Sequence, residues 1–126
     1  MNESTLPPPP DPDHDCTAAI QAALDALHGE GGGILSLPAG AFRIEGSLRI
    51  PRGVTLQGAC AGRQYFWGQL HGTVLHAYGG RGREDGPAVL ELGDSCGARQ
   101  LVIHHPEQRI ESVTPYPPAI HIKGFD

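Results

Sequence analysis

At 126 residues the chain has the size of one ordinary domain, and its 39% apolar content is enough to fold despite eighteen glycines and twelve prolines. Fourteen acidic against nine basic residues give a formal charge of −5, which excludes the broad positive field that nonspecific DNA or RNA binding requires. The longest apolar runs fall far short of the roughly 20 residues that cross a bilayer, and the start is acidic and proline-rich, so neither a membrane span nor a Sec-type leader is expected.

The basic side is lopsided, with eight arginines against the single Lys123, a balance that favours planar carboxylate pairing and suits an acidic ligand. Cys16, Cys60 and Cys96 lie far apart without a CxxC spacing, and three thiols cannot all pair within one chain. They are expected to be reduced, with small apolar core positions as the plain assignment.

Residues 1–14 hold five prolines, which fix φ and remove backbone donors, so a lead-in without regular structure is expected ahead of a folded unit over 15–126. From Asp15, the run DCTAAIQAALDALHG sets Ile20, Leu24 and Leu27 at helical spacing among alanines, which predicts a helix over about 16–28. Asp15 or Thr17 can accept hydrogen bonds from the first turn, and Gly29 followed by Gly31, Gly32 and Gly33 ends it. The period then switches to two. ILSL (34–37), FRI (42–44), LRI (48–50), VTLQ (54–57), TVLH (73–76), AVLEL (88–92), QLVIH (100–104) and AIHIK (119–123) read as short strands. Turn residues, among them Gly46, Gly53, Gly58, Gly93 and Gly97, separate them. Longer segments at 58–72, 78–87 and 105–118 are expected to project as loops.

Strands with turns at this spacing admit a sandwich, a barrel or a parallel solenoid. A lone amphipathic helix ahead of all the strands cannot be a βαβ crossover, but it can close the open end of a stacked coil. ILSL, FRI and LRI then make a first turn and VTLQ begins the second. These residues also carry a resemblance. The helix, the GGGILSLPAGAFRI run, LRIPRGVTLQGA and GTVL, in that order, resemble the N-terminal segment of the pectate-lyase-like superfamily, particularly its polygalacturonase- and rhamnogalacturonase-like members.

The resemblance implies an all-β, right-handed parallel β-helix with an N-terminal capping helix. It also implies a carbohydrate-active protein that works on an acidic polysaccharide by hydrolysis or β-elimination, outside the cell. A non-catalytic β-helix of tailspike or adhesin type, binding glycans or serving as a structural module, is the alternative. AIHIKGFD still reads as strand and turn at Asp126 with no closing cap, so the natural protein is expected to continue and residues 1–126 alone to be inactive.

Candidate chemistry sits in the loops and strand ends. Arg63, Tyr65 and Trp67, beside Phe66, offer aromatic faces and a guanidinium for a sugar and its carboxylate. His104, His105 and Glu107 form a second polar cluster, with sugar contact favoured over metal, because neighbouring strand residues point to opposite faces. His121 is expected to point outward, opposite Ile120 and Ile122. Asp94, Glu107 and Glu111 are the nearest candidates for the hydrolase carboxylates that the resemblance implies, but they are not paired, and no acidic cluster suits a calcium-assisted lyase. GGRGREDG (79–86) lacks GK[ST] and a following helix, so it reads as a flexible loop rather than a phosphate cradle. No cofactor and no metal is expected, and the partner is a polysaccharide or oligosaccharide.

Overall fold

A computed structural model describes residues 2–59, 65–66, 69–70 and 72–122, with 65–66 and 69–70 described by backbone alone. In chain order the elements are β1 (Asn2–Thr5), α1 (Thr17–Gly29), β2 (Gly33–Ser36), β3 (Gly40–Ile44), β4 (Leu48–Ile50) and β5 (Val54–Gln57). There follow β6 (Tyr65–Phe66), β7 (Gln69–Leu70), β8 (Thr73–Ala77), β9 (Leu90–Leu92), β10 (Gly97–Arg99), β11 (Val102–His104) and β12 (Ile120–Ile122). Three parallel sheets result, with strand orders β1-β2-β5-β10, β3-β8-β11 and β4-β9-β12, here called A, B and C. Each circuit of the chain contributes one strand to each sheet and stacks on the circuit before it. The architecture is a β-helix-like solenoid with one helix, the choice that the helix position favoured among the three that the strand spacing admits. The second turn stacks on the first as expected, but Gly33 rather than Ile34 pairs with Val54, one residue off the register that stacking ILSL on VTLQ would give.

The period-two pattern becomes the core directly, because alternate side chains point inward. Leu35 lies over Leu56, Phe42 over Leu75, Leu48 over Leu90 and Ile50 over Leu92, all buried. Helix α1 closes this stack with Ile20, Leu24 and Leu27, also buried, from residues at the predicted spacing.

The helix end of the stack is sealed strand by strand. β1 pairs along β2 in sheet A. In sheet B, Asp15 bridges to Arg43 and the Cys16 N–H donates to the Arg43 carbonyl at 2.8 Å. Over sheet C the Gln21 side-chain amide takes the place of a strand, donating to the Arg49 carbonyl and accepting from the Arg49 N–H, both at 2.8 Å. All three strands of the first circuit therefore find hydrogen-bond partners, which an exposed sheet edge would otherwise leave to water or to another chain.

Three expectations need correction. The lead-in is not wholly irregular, since Asn2–Thr5 forms β1. The prolines begin only at Pro7, and the edge of β2 offers a ready ladder; a β-carbon at Gly33, whose φ is +153°, would collide with the Asn2 carbonyl, so glycine is what lets β1 approach. Gly97 is not a turn but the first residue of β10. The run read as one strand over 100–104 bends at Gln100, whose φ of 60° turns the chain from sheet A to sheet B, and β11 is left with Val102–His104.

Thr73 is the one buried polar residue among the described core. Its hydroxyl accepts from the Ala59 N–H at 2.8 Å and donates to the Pro38 carbonyl at 2.9 Å, tying two corners together. Gln108 repeats the Gln21 device within the 105–118 loop, donating to the Thr114 carbonyl at 2.6 Å and accepting from its N–H at 2.8 Å. At the far circuit, Ile120 and Ile122 stack over Leu90 and Leu92 but remain 48% and 58% exposed.

Candidate functional site

Parallel pairing in register places chemically similar side chains in rows up the outside of each sheet. On sheet A the row contains Ser36, Gln57 and Arg99, with Arg99 Nε donating to Gln57 Oε1 at 2.6 Å. On sheet C it contains Arg49, Glu91 and His121; His121 Nδ1 lies 2.9 Å from Glu91 Oε2, so His121 does face outward. On sheet B the row is Arg43, His76 and His104. Of the three, sheet B carries the cationic and imidazole groups best suited to an anionic ligand.

Arg43 is oriented by two neighbours. Its Nε donates to Glu45 Oε2 at 3.0 Å, and its guanidinium carbon sits 3.8 Å from the centre of the Tyr78 ring, a cation–π contact. His76 and His104 meet Nδ1 to Nδ1 at 3.1 Å with their rings 74° apart. Burial, reinforced by the adjacent His104, holds the His76 pKa below its ordinary value and so favours the neutral ring.

His105 turns away from this row. Its ring lies against Tyr116, centroids 4.4 Å apart, and its Nδ1 and the Tyr116 hydroxyl are both buried without a partner among the described residues. Burial lowers the His105 pKa; a hydrogen bond with the Ala77 backbone opposes this and His104 adds to it. Glu107 reaches Arg81 Nη1 at 3.6 Å across partly exposed surface, a contact of small energetic worth that links the 78–87 and 105–118 loops. The same two loops are joined by the Gly82 N–H donating to the Pro115 carbonyl at 2.7 Å.

The three candidate residues at the end of β11 do not converge, in line with neighbouring strand residues pointing to opposite faces. His104 belongs to the outer row, His105 packs under the loop and Glu107 serves an ion pair. Arg63 and Trp67 lie outside the described residues, and Tyr65 is placed only as a residue of β6, which pairs antiparallel with β7. Cys60 is also outside them; Cys16 is buried in the core and Cys96 packs partly against it, both as free thiols. Asp94 and Glu111 are exposed. Among the described residues no three His, Cys, Asp or Glu side chains gather as a metal cluster, and no helix is long and apolar enough to cross a membrane.

Sequence reasoning missed Arg43, His76, Tyr78 and Tyr116. A signal was present for His76: TVLH and LVIH carry histidine in the same phase, after an inward Leu75 and an inward Ile103. Aligning the two strings by phase brings His76 and His104 to one rung.

Over 91 residues, covering 62% of the chain, the sequence is 40% identical to the mannuronan C5-epimerase AlgE3 of Azotobacter vinelandii, and equally to AlgE1 of that organism. AlgE5 of the same bacterium is 38% identical over 91 residues. The chain spans only 5%, 6% and 9% of the lengths of these three relatives. No family model matches the chain, and no solved structure matches it significantly.

Proposed function

We propose that the chain is the capped N-terminal part of a polysaccharide-acting solenoid protein whose substrate is an acidic, uronate-containing polymer. The observation that carries this reading is the 40% identity over 91 residues to proteins named mannuronan C5-epimerases. The outer row of sheet B supports it physically. Arg43, His76 and His104 stand on successive rungs, about 4.8 Å apart as parallel strands require, where carboxylates of an extended polymer can meet them. On a chain of net charge −5 such attraction has to be local.

The relatives' name favours chemistry at C5 over the hydrolysis that paired carboxylates would perform. A C5 proton lies α to the uronate carboxylate, so a base can remove it to leave a stabilised carbanion. Return of a proton to the opposite face is epimerisation, and expulsion of the 4-oxygen is β-elimination; the two reactions share their first step. We assign that base to coils stacked beyond β10, β11 and β12, whose exposed Ile120 and Ile122 suit a further layer. Residues 1–126 then supply the cap, the first rungs and part of the binding face.

A non-catalytic glycan-binding role is the second reading, favoured by the outer row of sheet B, whose Arg43, His76 and His104 can meet a polymer without any chemistry. One experiment separates the readings. The full-length protein is incubated with polymannuronate in D2O and followed by NMR. An epimerase is expected to give inverted residues carrying deuterium at C5, and a lyase to give unsaturated ends, whose C5 holds no hydrogen. New reducing ends with neither deuterium at C5 nor unsaturated ends would indicate hydrolysis, and binding with no change in the polymer would indicate the non-catalytic role. Equal affinity for a neutral glucan would overturn the acidic-polymer reading altogether.

A further inference from the structure

We propose that His76 and His104 form a two-histidine site for a divalent transition ion of the copper(II), nickel or zinc class on the outer face of sheet B. The pair comes from adjacent circuits at one register position, so its geometry is set by the sheet rather than by a loop. The two Nδ1 atoms face each other at 3.1 Å. An ion held about 2.05 Å from each would subtend an N–metal–N angle of about 100°, between the square-planar and tetrahedral values. Imidazole nitrogens select such ions and not calcium or magnesium, which take oxygen ligands.

The surroundings are consistent with that use. Neither Nδ1 has another partner among the described residues, and burial favours the neutral, ligating form of His76. The nearest fixed cation, Arg43 on the next rung, is turned to Glu45 and Tyr78. His104 is exposed, so the remaining coordination positions open to solvent and can take water or a carboxylate oxygen. The same separation also fits a plain N–H···N hydrogen bond between one donor and one acceptor ring, and the test is built to tell the two apart.

The chain is titrated calorimetrically with CuCl2, NiCl2, ZnCl2 and, as a control, CaCl2. Parallel titrations use His76→Ala, His104→Ala, His104→Gln and His28→Ala; His28 lies at the end of α1, against the Arg52 carbonyl. Loss of an outer-shell partner alone typically weakens a metal site about 10–100-fold, so loss of either ligand is expected to weaken copper binding at least that much. His28→Ala should bind as the native chain does, and calcium should not bind at this site. Copper-loaded native protein should show two nitrogen ligands by electron paramagnetic resonance, a readout that needs no variant to fold. Unchanged affinity in both His76→Ala and His104→Ala would place the ion elsewhere and overturn the proposal. No nitrogen-ligated copper in the native chain would overturn it too, leaving the pair as a hydrogen bond only.

Discussion

Single side chains hold the corners of this solenoid. Thr73 is buried, and its hydroxyl links the Ala59 amide to the Pro38 carbonyl. Thr73→Val keeps the shape but strands both groups, a loss of about 1–3 kcal/mol. Urea unfolding should show the midpoint fall by that loss divided by the slope, with the slope itself unchanged. Asp15 acts at the helix entrance. Burial alone would raise its pKa, but hydrogen bonds from the Thr17 hydroxyl and amide and from the Glu45 amide, together with Arg43, leave it below the ordinary 3.8. A carboxylate whose folded pKa is depressed stabilises the fold fully above its unfolded value and loses that contribution as pH falls through the folded one. Asp15→Asn is therefore expected to lower the thermal midpoint by a few degrees at pH 7, an effect of about 1 kcal/mol typical of capping groups. The gap between variant and native chain should narrow as pH falls below 3.8 and close once the folded carboxyl is protonated.

Helix α1 is the element on which the first circuit depends. Leu24 is fully buried under it, so Leu24→Ala should cost about 2–5 kcal/mol by cavity formation. Gln21→Ala removes two hydrogen bonds to Arg49 at a partly wet edge and should cost about 1 kcal/mol. Hydrogen exchange should report the second change as faster exchange at the Arg49 amide, with the sheet A amides unaffected. The helix and eight of the strands were legible because their apolar periods of 3.6 and 2 are enforced by burial on one side. β1, β10 and the short pair β6 and β7 were not. Of the branched or aromatic residues that mark a strand, NEST holds only Thr5 and GAR none, and they are strands because β2 and β5 present parallel ladders to them. The bend at Gln100 was hidden for a related reason, since a left-handed residue that is not glycine leaves no mark in the sequence. The imidazole row escaped notice because contacts between circuits join residues 28 apart, a distance at which local periodicity is silent.

Across the whole molecule, acid should act through the imidazoles before it reaches the carboxylates. His76 and His105 are held below their ordinary pKa of 6.5, by burial first and His104 besides, with the Ala77 hydrogen bond opposing at His105. The unfolded chain then binds more protons than the folded one, and stability falls as pH drops below about 6.5. Thermal melts between pH 7.5 and pH 5 should show this decline, and His105→Gln should flatten it. A decline of equal size in His105→Gln would assign the effect to other groups.

The seal at α1 has a consequence for how the protein is made. Every circuit after the first finds its partner in the circuit immediately before it, so no strand has to wait for a segment synthesised much later. A chain leaving the ribosome can therefore lay down its plug, then its opening turn, and use each finished layer as the template for the next.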